Sequence, residues 1–212
     1  MILIDWIELT EFEIKWLTWI GQARHTNAIK NARDPGLGPT ALGADASLRN
    51  HVRGVKCEFA CSIILNQYWR PTVGEIHQRD VGGQIDVRST DLIDGRLIVK
   101  PSDPGHVPFV LMLETGNVYR ALGWLFAHEA KTFPLLTSFG DPAHFVPQAS
   151  LHPIDSLRDW LASMLSSSFC FSSSSFVSAS VTVLAVTSAR PASLRICSRR
   201  AAARVVASAA CL

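Results

Sequence analysis

Asp80 and Asp86 stand on either side of a Gly82-Gly83 pair, and Arg88 follows two residues later. Two carboxylates brought together by a tight turn are hard-oxygen ligands of the kind Mg²⁺ takes. That ion often uses only one or two protein ligands and fills the rest with water and phosphate oxygens. Strand alternation puts Asp86 and Arg88 on one face of a strand that starts near Ile85. Asp80 closes the segment before the turn, and Glu58, from a preceding helix, is placed to add a third carboxylate. The chemistry such a set implies is phosphodiester hydrolysis at a metal ion. A plainer reading stands beside it. Gly-Gly between two strands is ordinary hairpin chemistry, because Gly supplies positive φ. Asp86 and Arg88 would then be a surface ion pair worth about 0–1 kcal/mol.

Other catalytic arrangements find less support. The five cysteines, Cys57, Cys61, Cys170, Cys197 and Cys211, include no pair at zinc spacing; Cys57 and Cys61, four apart, read as small packing residues on a helix. The seven histidines are scattered, and His51, the one near Glu58, reads as a helix-surface residue. No nucleophile elbow and no phosphate-cradling glycine loop is present. Glu129-Ala130-Lys131 has an E-x-K form but reads as a surface pair opening a helical turn, and pairing Asp86 with Lys100 instead leaves Ile98 in the acidic position. Trp16, Trp19 and Trp124 read as core aromatics, while Trp69, beside Arg70 and near the end of the Glu58 helix, is a candidate for stacking a base.

The elements that must position these residues are legible in outline. Thr10 followed by Glu13 is a capping box. It opens a first helix whose expected apolar face is Phe12, Trp16, Trp19, Ile20 and Ala23, stopping before Asp34-Pro35-Gly36. A second helix is expected over about 46–67, with Leu48, Val52, Val55, Phe59 and Ile63 as its stripe. Glu58 lies roughly 120° from the centre of that stripe, at ~100° per residue. Five strands follow, at Val73–Arg79, Ile85–Ser89, Arg96–Lys100, Pro108–Leu113 and Tyr119–Phe126, separated by turn signals. The expected fold is therefore α/β (α+β): a mixed, largely antiparallel five-stranded sheet preceded by two long helices that cover one face. A helical turn is expected at His128–Lys131 and a last helix after Pro153, through Leu157 and Trp160.

The chain has 212 residues, 48% of them hydrophobic, enough to bury a core without disulfide or metal staples. Residues 1–160 carry 18 acidic and 15 basic side chains, for a charge of −3, while residues 161–212 carry five Arg, no Lys and no acid. The charge of −3 over residues 1–160 argues against a strongly basic nucleic-acid binder and leaves room for a local basic groove. The organisation reads as an N-terminal helix and loop over 1–45, an α/β domain over 46–160, and a Ser/Ala/Arg-rich tail over 161–212, disordered or out of frame. Residues 164–189 carry no charge, as a membrane span would, but seven or more serines within that stretch weaken the reading. The start, Met1-Ile2-Leu3-Ile4-Asp5-Trp6, lacks the basic region of a signal peptide, and a reducing cytoplasm is expected.

Glu58 on a helix, then Asp80, then Asp86-Val87-Arg88 on a strand resembles the signature of the PD-(D/E)XK nuclease superfamily. Ile85-Asp86-Val87-Arg88-Ser89-Thr90 is similar to a strand common in that group. A wider run over about residues 48–158 resembles uncharacterised phage and prophage proteins. It comprises Val55-Lys56-Cys57-Glu58-Phe59-Ala60, Asp80-Val81-Gly82-Gly83, Leu97-Ile98-Val99-Lys100-Pro101, Phe109-Val110-Leu111, Gly123-Trp124, Glu129-Ala130-Lys131 and Phe145-Val146-Pro147-Gln148. The resemblance implies a restriction-endonuclease-like fold, a bacterial host with phage or prophage origin, and Mg²⁺- or Mn²⁺-dependent hydrolysis of DNA. Asp80, Asp86 and Glu58 would hold the metal. Arg88 stands where the superfamily has Lys, and Arg, which keeps its proton, would stabilise phosphate charge but not act as a base. Arg49, Arg53, Arg70, Arg79 and Arg96 would contact the DNA backbone. The same resemblance is compatible with a catalytically inactive relative that binds DNA or a phage protein.

Overall fold

The structure is a computed structural model that describes residues 4–31, 43–74, 78–137 and 141–169. The chain divides into Met1–Ser172 and Ser173–Leu212, and all described residues belong to the first unit. Most of the proposed tail therefore lies outside the described residues. Its first nine positions do not: they continue the last helix across the expected boundary at 160.

A short strand β1 (Trp6–Glu8) leads into α1 (Glu11–Lys30), and the Thr10–Glu13 capping box is formed in full. The buried side of α1 is Leu17, Ile20, Gly21 and His25. This corrects the expected face: Phe12 and Trp19 are 79% and 69% exposed, and Trp16 is only partly covered. At ~100° per residue the true face is turned by roughly 130° from the expected one. Gly21 explains the choice, because α2 (Ala44–Leu65) passes so close that a Cβ there would sit 2.6 Å from the Val52 Cα. A helix packs by the side that lets its neighbour approach, and here that side is small rather than aromatic.

α2 lies between α1 and the sheet, so its second half is buried almost all round: Val55, Cys57, Glu58, Ala60, Cys61, Ser62, Ile64 and Leu65. Ile63, expected in the apolar stripe, is 39% exposed instead. The helix ends on Asn66 in the left-handed conformation (φ 51°), with the Gln67 N–H returning to the Ser62 carbonyl.

The main sheet runs β1–β5–β4–β2, with β2 (Asp86–Thr90), β4 (Pro108–Thr115) and β5 (Val118–Phe126). β4 and β5 form the expected hairpin across Gly116-Asn117, but β2 pairs with β4 in parallel. A parallel pair needs a crossover of about a dozen residues or more. Residues 91–107 supply it, and β3 (Leu97–Val99), within that crossover, leaves the main sheet altogether. It pairs with β7 (Ala143–Val146), which also pairs with β6 (Leu135–Leu136), in a second, antiparallel sheet. The expected single five-stranded meander is thus two sheets of four and three strands. Residues 73, 74 and 78–80 are not in a strand, contrary to the expectation for Val73–Arg79, whose middle lies outside the described residues.

Two cores result. Val87, Val110, Met112, Ala121 and Trp124 face α1, α2 and α4 (Ile154–Phe169). Phe109, Leu111 and Leu125 face the second sheet and α3 (Ala127–Ala130). No described helix is long and apolar enough to cross a membrane.

Candidate functional site

Asp80 lies at the open edge of β2. Its Oδ2 accepts the Val87 N–H at 2.8 Å, supplying to an edge strand the acceptor a further strand would have supplied. The turn that carries it is held by Val81–Ile85 backbone bonds and by Gly82 and Gly83, at φ 60° and 69°. Both glycines are needed for that geometry.

Glu58 sits on the α2 side of this edge, 6% exposed. Arg24 from α1 clamps both of its oxygens, Nη1 to Oε1 at 2.5 Å and Nη2 to Oε2 at 2.8 Å, and Trp69 Nε1 donates to Oε2 at 3.2 Å. Arg24 is itself fixed by its Nε, which donates to the Thr72 carbonyl at 2.8 Å. Burial works against the charge of Arg24, but the Glu58 carboxylate more than restores it. A bidentate pair of this kind is strong because both partners are held in place.

Asp86 pairs with Phe109 across the sheet and Arg88 with Leu111, so both point to the face opposite Val87 and α2. Asp86 accepts Arg79 Nη1 at 2.7 Å. Arg88 reaches away from the turn, donating to the Ile98 carbonyl and Asp103 Oδ2, each at 3.1 Å, with its guanidinium 4.7 Å over the Phe109 ring. Arg88 therefore braces the crossover between β2 and β4, and the expected contact with a bound phosphate is not where its side chain goes.

The three carboxylates are thus close in charge but not gathered as a ligand set. Burial first, then the negative charge of Glu58 and, less, of Asp86, pushes the Asp80 carboxyl up to about 8, against the Val87 N–H and Arg88. Burial also raises Asp86, more than Arg79 and Arg88 lower it. Among the described residues no three His, Cys, Asp or Glu side chains converge to hold a metal ion. Glu58 does not fit a ligand role, because both oxygens belong to Arg24. Asp80 and Asp86 are each engaged through Oδ2, which leaves one Oδ1 on each, and Mg²⁺ often takes only one or two carboxylates.

An open groove of about 490 Å³ adjoins Asp80, lined by Tyr68, Arg70, Gln78, Arg79, Gly82 and Gly83. Two of the five expected phosphate-binding arginines, Arg70 and Arg79, are in it. Arg49 and Arg96 are exposed but line no part of it. Arg53 is committed elsewhere, to Asp91 at 2.5 Å and Glu114 at 3.3 Å, in a network that Lys56 and the Tyr119 hydroxyl complete.

Trp69 is also corrected: it is 9% exposed, with its ring edge-on to Trp16 and Phe59, and presents no face to a base. Tyr68 and Arg24 are the residues the sequence reading missed. Arg24 carried a signal, since it falls on the same helical side as Leu17, Ile20 and Gly21. Tyr68 carried none beyond its place next to Trp69. The Cys57 and Cys61 thiols are buried and pushed up by that burial, as packing residues would be. Glu129 and Lys131 do not pair with each other; Glu129 caps α3 and meets His152, while Lys131 Nζ donates to the Asp103 carbonyl. Lys100 pairs with Asp141 at 2.9 Å on the surface.

Comparison of the chain with protein-family models, with curated proteins and with solved structures gives no match.

Proposed function

We propose that this chain is a nucleic-acid-binding protein of nuclease-like design, whose groove at Asp80 receives the phosphodiester backbone. The observation that carries the reading is the lining of that groove: two guanidiniums, Arg70 and Arg79, and a 74%-exposed Tyr68 around a turn kept open by Gly82-Gly83. Guanidinium groups match phosphate geometry, and backbone contacts supply most of the affinity of such proteins. The resemblance of Glu58, Asp80 and Asp86-Val87-Arg88 to the PD-(D/E)XK superfamily supports the same class of partner, DNA.

Binding without turnover is the reading the charges favour. Glu58 already has an internal counter-ion in Arg24, and Asp86 takes one N–H of Arg79, through Nη1, which leaves the rest of that guanidinium to meet phosphate. A second reading, metal-dependent hydrolysis of DNA, is supported by Asp80, whose carboxyl is raised first by burial and then by the negative charge of Glu58, which a divalent cation would offset. Asp80 and Asp86 would hold Mg²⁺ or Mn²⁺ there, and the ion would supply an activated water and charge stabilisation at the phosphate. Around it, this chain's own contribution is fixed orientation: the Val87 N–H holds Asp80, and Arg79 is placed to contact phosphate.

The full-length protein, incubated with supercoiled plasmid and with single-stranded DNA in EDTA, Mg²⁺ or Mn²⁺, separates the two readings. Retarded but uncut DNA in every condition, weakened at least tenfold by Arg70→Ala, is the expected result. Metal-dependent nicking that Asp80→Asn abolishes would replace it with the hydrolytic reading, and absence of both binding and cleavage would reject the groove.

A further inference from the structure

The segment on which Tyr68 sits is tied to the turn opposite it. Trp69 makes an antiparallel bridge with Val81, and the Gly82 N–H donates to the Tyr68 carbonyl at 2.8 Å. The Trp69 ring is fixed from the inside by Trp16, Phe59 and the Glu58 carboxylate. In an extended segment successive side chains alternate. With Trp69 locked inward, Tyr68 and Arg70 on either side of it are turned outward into the same groove. The Tyr68 ring is 74% exposed and lines that groove, so both of its faces are within reach of a ligand. The turn opposite presents Gly83, where even a Cβ would meet nothing within 4 Å, so a flat group can approach along that side.

From this arrangement we infer that the groove selects single-stranded over double-stranded polynucleotide, with Tyr68 as the platform for one unstacked base and Arg70 and Arg79 on the flanking phosphates. The inference rests on the nucleic-acid-binding reading above and sharpens it. In a duplex each base face is covered by its neighbours, so a stacking platform gains nothing unless a base is first extracted, at a cost of a few kcal/mol. In a single strand the faces are free, and aromatic stacking is tolerant of base identity. The volume of about 490 Å³ is of the size that small-molecule ligands occupy, which suits a single nucleotide unit rather than a duplex. DNA and RNA single strands share this chemistry.

Fluorescence anisotropy of the full-length protein, in EDTA and at fixed low salt, tests it with three labelled probes: a 12-mer of oligo(dT), a 12-mer of oligo(U) and a 12-base-pair DNA duplex. At least one single strand should bind tenfold or more tightly than the duplex, and their order tells DNA from RNA. Tyr68→Ala should weaken the better single strand by about 5- to 100-fold, as removal of a stacking platform does, and leave the duplex within twofold. Tyr68→Phe, which keeps the ring, should retain the preference. Arg70→Ala should weaken all three probes together. Equal binding of duplex and single strands, or a preference that survives Tyr68→Ala, would overturn the inference while loss on Arg70→Ala keeps the groove. Indifference of every probe to Arg70→Ala, or no binding at all, would overturn the groove reading and this one with it.

Discussion

Asp80 is the residue on which the electrostatics converge. Its ordinary value is 3.8, and in the fold its carboxyl is pushed up to about 8. Between those two pH values the folded chain keeps a proton that the unfolded chain has released. The stability that Asp80 contributes therefore falls as pH rises from about 4 to about 8, and no further above that. Asp80→Asn keeps an oxygen for the Val87 N–H and removes the titration. In EDTA its thermal midpoint should exceed that of the parent chain by an amount that grows from pH 5 to pH 8, at about 2–4 °C for each kcal/mol. Parallel melting curves for the two proteins across that range would show that Asp80 ionises normally. The residue types of this site were legible in the sequence: Asp80, Asp86, Glu58, Arg70 and Arg79 were all singled out. The partner of Glu58 was not, because Arg24 lies 34 positions before it and is brought to it only by the crossing of two helices.

At the scale of elements, the sequence was most readable where structure is local. The Thr10–Glu13 box, the Gly116-Asn117 hairpin and the start of α4 after Pro153 each depend on a few adjacent residues. What depends on a neighbour's shape was read wrongly. The aromatic side of α1 has the stronger apolar pattern, yet the helix buries the side bearing Gly21. That choice has a measurable cost. Gly21→Ala gains about 1 kcal/mol of intrinsic helix propensity, but its new Cβ meets the Val52 backbone at 2.6 Å, where nothing flexible can yield. The net effect expected in urea denaturation is a loss of about 1–3 kcal/mol. A variant more stable than the parent would mean that α1 and α2 are not in such close approach. The parallel pairing of β2 with β4 was also open to a length argument, since residues 91–107 exceed any hairpin loop; the turn signals inside that stretch hid it.

Over the described molecule, β4 is the wall between two cores. Val110 and Met112 face the helices, Phe109 and Leu111 face the second sheet, and all four are almost wholly buried. A strand shared in this way makes the two cores parts of one cooperative unit. Phe109→Ala should cost about 3–5 kcal/mol and, though its cavity opens on the second sheet, should lower the transition seen by Trp fluorescence as much as that seen by far-ultraviolet circular dichroism. Trp124, on the other face of the sheet, is one of the reporters. Two separate transitions would show that the sheets melt independently.

The outermost strand of the main sheet is drawn from the beginning of the chain: Trp6, Ile7 and Glu8 pair with Arg120, Tyr119 and Val118. On the ribosome, β1 emerges more than a hundred residues before its partner β5. At ~5–20 residues per second that interval is roughly 5–20 s. Throughout it a short strand with unpaired amides sits next to the bare aromatic flank of α1, in Phe12 and Trp19. β1 thus waits for β5 before it can join the main sheet, and in that interval the nascent chain exposes this segment to other molecules.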